Sequence, residues 1–125
     1  MKKKIIVVED EMDIAELVKL VLETDEFEVQ TVLDAPAAYD KVKEYKPDAV
    51  LLDLSMPKMN GWEVFKQIRS DPEFAKLPIA ILTAKTHAFD EMVGLHVMKA
   101  DAYITKPFGK QELLNKTHGL FTERS

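Results

Sequence analysis

The 125-residue chain contains no cysteine. Disulfide bridges and thiolate metal sites are therefore excluded, and the fold has to rest on buried apolar surface. The same absence fits a reducing compartment, so a cytoplasmic location is the expectation. Long apolar runs are missing too: after Lys2-Lys3-Lys4 only Ile5 to Val8 precede Glu9. Neither a secretory signal nor a membrane span fits so short a run. Positive charge is not in excess, because the formal net charge is −5, which argues against a general nucleic-acid or membrane surface. Glycine is scarce, and none lies in the acidic segment Glu9-Asp10-Glu11-Met12. A dinucleotide or flavin phosphate needs backbone N–H groups presented by Gly, Ser or Thr at such a loop, so a phosphate cradle is disfavoured there. His87, His96 and His118 share no ligand spacing, which leaves carboxylates as the candidates for holding a metal.

What the chain does contain is a set of short apolar runs, each followed by residues that carry chemistry. Ile5-Ile6-Val7-Val8 leads to Glu9-Asp10, and Ala49-Val50-Leu51-Leu52 leads to Asp53. Ile79-Ala80-Ile81-Leu82 leads to Thr83, and Ala102-Tyr103-Ile104 leads to Thr105-Lys106-Pro107. Such runs suit strands covered on both faces of a parallel sheet. Segments with helical spacing alternate with them at about 35–45, 61–70, 87–98 and 109–120. A first helix carries Ile14, Leu17, Val18, Val21 and Leu22 on one stripe, with Asp13 as its expected N-cap. The weakly apolar Phe27-Glu28-Val29-Gln30-Thr31-Val32 alternates in polarity, as an edge strand should. Strands are expected at about 4–8, 48–52, 79–82 and 101–104.

Five strand–helix units demand right-handed crossovers with helices on both faces. The expected fold is α/β, a doubly wound five-stranded parallel sheet occupying residues 1–125 as one domain. Periodicity alone does not fix the strand order, but an edge position for the second strand is compatible with 2-1-3-4-5. The carboxyl ends of the strands would then bring Glu9, Asp10, Asp53, Thr83 and Lys106 to one edge. Three carboxylates, a hydroxyl and an ammonium suit a hard divalent cation and a phosphoryl group. A single acid at a strand end is most often a helix cap, yet capping alone does not select a lysine after the fifth strand.

These segments resemble the receiver domain of two-component response regulators over nearly the whole chain. The matching stretches run from Ile5 to Glu11, from Leu51 to Gly61, from Ile81 to Lys85 and from Tyr103 to Phe108. The resemblance implies a (βα)5 flavodoxin-like receiver fold in which Asp53 accepts a phosphoryl group from a sensor histidine kinase or phosphotransfer protein. It implies Mg2+ as cofactor, bound directly by Asp10, more through water by Glu9, and by the backbone carbonyl of Ser55, with Asp53 also among the metal-site residues. Lys106 would pair with phosphorylated Asp53, and the Lys106–Pro107 bond would be cis. Thr83 and Tyr103 would be the switch residues, and Ser55 and Lys85 would tune dephosphorylation. A downstream protein would read the surface of the fourth helix, fifth strand and fifth helix, with the chain a monomer or a phosphorylation-dependent dimer.

Glu9 replaces the more usual aspartate of the acidic pair, and Lys99 stands where a glycine often precedes Ala100-Asp101. The first departure bears on metal geometry, the second on the end of the fourth helix. The expected role is a stand-alone signalling switch with no direct nucleic-acid or membrane partner. It is regulatory rather than enzymatic, apart from self-phosphorylation and slow autodephosphorylation. The alternative is the receiver fragment of a larger DNA-binding or enzymatic regulator. A dehalogenase-like phosphohydrolase is disfavoured, because Asp53 is followed by Leu54-Ser55 and no second carboxylate is placed as a general acid.

Overall fold

A computed structural model of the chain describes residues 2–24, 26–54, 61–84 and 100–122. Five strands build one sheet: β1 (Lys3–Val8), β2 (Phe27–Val32), β3 (Ala49–Asp53), β4 (Ile79–Ala84) and β5 (Ala102–Lys106). Every neighbouring pair is parallel, and the order is β2-β1-β3-β4-β5. The described helices are α1 (Met12–Leu22), α2 (Ala38–Tyr45), α3 (Gly61–Ser70) and α4 (Lys110–Thr122), the last being the fifth helical segment of the sequence. The segment expected to be helical at 87–98 lies outside the described residues.

The period-two geometry of a strand sends successive side chains to opposite faces, and here both faces are apolar. Ile6, Val8, Val50, Leu52 and Ile81 pack with Val42 of α2 and with Val64, Phe65 and Ile68 of α3. Ile5, Val7, Leu51, Leu82 and Ile104 pack with Val18 and Leu22 of α1 and with Leu113 and Leu120 of α4. Residues Ile5 to Val8 have no solvent exposure at all; each such side chain contributes roughly 1.5–3 kcal/mol of transfer free energy. The alternating burial of β2 follows from its place at the edge of the sheet.

Several boundaries differ from those the sequence suggests. Thr83 and Lys106 lie inside β4 and β5 rather than beyond them, because the strand pairing continues through Thr83↔Thr105 and Ala84↔Lys106. Asp13 is not the N-cap of α1. The helix starts at Met12 with Glu11 at the cap and no side-chain capping bond. The buried face of α1 is Ala15, Val18 and Leu22, whereas Leu17 is 49% exposed; the stripe is rotated because the acidic loop sets where the helix begins. Asp34 and Pro36 open a single 3₁₀ turn, Ala35–Ala37, and α2 follows it. The helix ends at Tyr45, and Lys46 caps it in a left-handed conformation, φ 52°, its N–H donating to the Val42 carbonyl at 2.9 Å.

At the opposite edge from the acidic residues, Asp101 ties three elements together. Its Oδ2 accepts a hydrogen bond from the Ile79 N–H at 2.8 Å and an ion pair from Arg69 Nη2 at 3.0 Å, while its own N–H donates to the Ile79 carbonyl at 2.9 Å. Arg69 Nη1 also donates to the carbonyls of Leu77 and Phe74. The end of α3 is thereby fixed to the starts of β4 and β5. Gly61 performs a similar service beside Asp53. A Cβ built on it would fall on the Asp53 carbonyl oxygen and lie 2.7 Å from the Leu54 Cα, and its N–H donates to the Leu54 carbonyl at 3.0 Å. Only glycine lets α3 begin this close to the end of β3.

Asp101→Ala is expected to lower the unfolding free energy by about 2–3 kcal/mol, because Arg69 and the Ile79 N–H both lose a charged acceptor; urea unfolding measures it. Gly61→Ala is expected to lose about 1–3 kcal/mol through overpacking. In the same variant the backbone amide signals of Asp53 and Leu54 should move in a heteronuclear NMR spectrum.

Candidate functional site

The sheet order places β1, β3, β4 and β5 side by side, so their carboxyl ends form one edge. Glu9 directly follows β1, and its N–H donates to the Val32 carbonyl at 3.0 Å, extending the ladder with β2 by one rung. Val8 pairs with Leu52, so Glu9 stands one step further, beside Asp53. Asp53 is the last residue of β3 and pairs with Leu82, which puts Thr83 next along β4. Lys106 ends β5. Its peptide bond to Pro107 is cis.

Carboxylate oxygens of Glu9, Asp10 and Asp53 all lie within 4.8 Å of one another. Glu9 is fully buried, Asp53 is 3% exposed and Thr83 is 1% exposed; Asp10 is partly exposed. Lys106 Nζ lies 2.7 Å from Glu9 Oε1 and 3.3 Å from Asp53 Oδ1. Glu9 Oε2 accepts the Glu11 N–H at 3.3 Å. Burial pushes the Glu9 carboxyl up to about 7; the Lys106 ammonium pulls the other way, and the charge of Asp53 adds to the rise. Burial acts to lower the pKa of Lys106, but the hydrogen bond it donates to Glu9 and the charges of Asp53 and Glu9 outweigh it, and the net direction is upward. Lys106 is therefore charged at neutral pH.

Among the described residues, three clustered carboxylates face the Lys106 ammonium, which leaves an excess of negative charge in a mostly buried place. That donor set fits a small hard cation: all ligand atoms are oxygens, and the partial exposure of Asp10 leaves room for the waters such an ion keeps. No thiolate or imidazole among the described residues competes for a softer metal in this cluster.

The structure thus brings together Glu9, Asp10, Asp53 and Lys106 by direct measurement, and Thr83 by strand register. Tyr103, on β5, is 5% exposed, with its ring centroid 6.5 Å from that of Trp62. Ser55 and Lys85 lie outside the described residues, as do His87, His96 and Lys99. His118 is remote from the site, its ring 5.0 Å from that of Phe27. Two features escaped the sequence reading. One is the direct contact of Glu9 with Lys106, whose only signal was the extra methylene of Glu9. The other is the seat of Gly61 under Asp53, for which the Asn60-Gly61 pair was the available cue. No described helix is long and apolar enough to cross a membrane.

Residues 5–118 match the family described as the response regulator receiver domain. The chain is 41% identical over 114 residues to the DNA-binding response regulator MtrA of Mycobacterium tuberculosis, covering 91% of this chain and 48% of that protein. It is 42% identical over 113 residues to the alkaline phosphatase synthesis transcriptional regulatory protein PhoP of Bacillus subtilis, covering 90% and 46%. The chain thus spans about half the length of the curated relatives it matches. Among solved structures, the chemotaxis response regulator CheY4 of Vibrio cholerae superposes with a TM-score of 0.88 at 27% identity, covering 97% of this chain and all of that one. The bacteriophytochrome response regulator RtBRR gives a TM-score of 0.81 at 30% identity, covering 97% and 79%. With the sheet order, the acidic edge and these likenesses in agreement, the chain belongs to the response regulator receiver domain family of two-component signalling.

Proposed function

We propose that Asp53 is the phospho-acceptor of this receiver and that Mg2+ is its cofactor. The observation that carries the reading is the position of the Asp53 carboxylate, at the end of a central strand, 3.3 Å from Lys106 and clustered with two further carboxylates. An ionised aspartate is a competent nucleophile toward phosphorus. A carboxylate oxygen of Asp53 attacks the phosphorus of a phosphohistidine on a sensor kinase or phosphotransfer protein. The P–N bond breaks, and the leaving imidazole keeps the electron pair and takes up a proton from water. Asp10 and Asp53 would hold the Mg2+, together with the Ser55 carbonyl implied by the family. The ion, when bound, neutralises charge on the phosphoryl oxygens.

Lys106 supplies a second positive charge, and its upward-shifted pKa keeps that charge in place. Thr83, almost fully buried one position beyond the strand partner of Asp53, has the hydroxyl suited to donate to a phosphoryl oxygen. Phosphorylation adds charge at one end of a packed core, and Thr83 and Tyr103 carry that change toward the β5 and α4 surface. Ser55 and Lys85 fit a modulating role in dephosphorylation. The domain 1–125 acts as a regulatory unit whose readout is a partner protein.

The relatives favour a second form of this reading. MtrA is named a DNA-binding response regulator and PhoP a transcriptional regulatory protein, and this chain matches about half of each. A receiver that governs a transcriptional output fits that length ratio.

Incubation with a small acyl-phosphate donor is expected to add one phosphoryl mass to the chain, only with Mg2+ and not in Asp53→Asn; intact-mass spectrometry reads it. Labelling retained in Asp53→Asn would move the acceptor elsewhere. Lys106→Ala is expected to accept phosphate while the NMR signals of Thr83 and Tyr103 no longer shift on phosphorylation. A full shift in that variant would remove Lys106 from the switch.

A further inference from the structure

The outer strands of the sheet are β2 and β5, and an outer strand offers its outward backbone groups to any chain that can lie beside it. The carbonyls of Glu26 and Val32 accept from the N–H groups of Lys3 and Glu9. Even-numbered residues of β2 therefore turn their backbone toward β1, and Phe27, Val29 and Thr31 turn theirs outward. Side chains from the end of α1 occupy part of that edge. Thr24 Oγ1 accepts the Phe27 N–H at 3.3 Å, and Glu23 Oε2 accepts the Val29 N–H at 3.2 Å. The Thr24 N–H in turn donates to the Phe27 carbonyl at 3.2 Å. Both Glu23 and Thr24 are exposed, so burial does not hold them there.

The strand from Phe27 to Val32 is rich in aromatic and β-branched residues, carries Glu28 as its one charge, and lacks proline and glycine. That is the composition of a segment prone to pair with its own kind. Antiparallel pairing of two copies about Val29 sets Phe27 against Thr31 and Glu28 against Gln30, so no like charges are opposed. Pairing about Phe27 or Thr31 would instead set Glu28 against Glu26 or Asp34, which is unfavourable. In the Val29 register, every bond between residues 27 and 31 uses a Phe27 or Val29 group that Glu23 or Thr24 now occupies.

We propose that the outer edge of β2 is a latent self-association surface, which pairs with β2 of a second copy of this chain and is held shut by Glu23 and Thr24. The guard is anchored by the helix rather than by the strand it covers, since the Glu23 N–H bonds the Lys19 carbonyl at 2.8 Å. The inference goes beyond the phosphoryl-accepting role and does not rest on it.

Sedimentation velocity over a concentration series, on the unphosphorylated chain without Mg2+, tests the surface. Glu23→Ala/Thr24→Ala removes both acceptors and is expected to self-associate at least about tenfold more tightly than the unmodified chain, the scale of one net hydrogen bond. Adding Thr31→Pro removes an outward N–H without touching the ladder to β1, a place where an edge strand accepts proline. Association is then expected to return to the unmodified level. A double variant that associates no more tightly than the unmodified chain would overturn the proposal. Association that survives Thr31→Pro would do the same, because another surface would be responsible.

Hydrogen exchange in the single variant Glu23→Ala tests the guard by itself. The Val29 amide is expected to exchange at least about tenfold faster than in the unmodified chain, while the amides of β1 keep their rates. An unchanged Val29 rate would show that Glu23 does not hold this N–H, and the edge would have no guard there.

Discussion

The ammonium of Lys106 faces two buried carboxylates at the acidic edge of this sheet, and the arrangement of that edge depends on it. Glu9 and Asp53 are nearly or wholly withdrawn from water, and ionised carboxylates in such a place are costly unless a cation or hydrogen-bond donors face them. Lys106 faces both, at 2.7 and 3.3 Å. It reaches them because β5 is carried two residues further than its apolar run, with the ladder to β4 unbroken as far as Ala84↔Lys106. Among the described residues, one lysine against three carboxylates still leaves negative charge in excess, and that residue of charge makes the cluster suited to a hard cation.

The rest of the domain holds those few groups in register. Strands buried on both faces leave little freedom to slip, since a one-residue shift would exchange the side chains of the two core layers. At the far edge, the Asp101 carboxylate joins α3, β4 and β5 through Arg69 and the Ile79 N–H. At the near edge, Gly61 lets α3 start directly against the backbone of Asp53. The Asp53 backbone is thus fixed from below by the sheet and from the side by a helix start that tolerates no side chain. Preorganisation of this kind lets a small domain do phosphoryl chemistry mainly through positioned charge.

Membership of the receiver family sets the broad role, and the chain spans about half the length of MtrA and PhoP. The first acid of the cluster is Glu9. Its side chain turns toward the lysine, and both of its oxygens are engaged.

The apolar runs and the residues after them were legible without coordinates, because strand burial writes itself as unbroken hydrophobic segments and chemistry collects at their ends. Ile5 to Val8, Ala49 to Leu52 and Ile79 to Leu82 announced three central strands, and the alternation in Phe27 to Val32 announced the edge. Asp53, Asp10, Thr83 and Lys106 were singled out on the same grounds. The exact start of α1 was not legible, since Asp13 looks as good a cap as any until the acidic loop before it is placed. Nor were the Arg69–Asp101 tie, the seat of Gly61 and the Glu9–Lys106 contact, all of which join segments distant in sequence. Sequence determines local periodicity and residue chemistry, which act over a few positions. Distances between groups as far apart as Glu9 and Lys106 are decided only when the strands take their order, because no pattern along the chain encodes how close two strand ends come to lie.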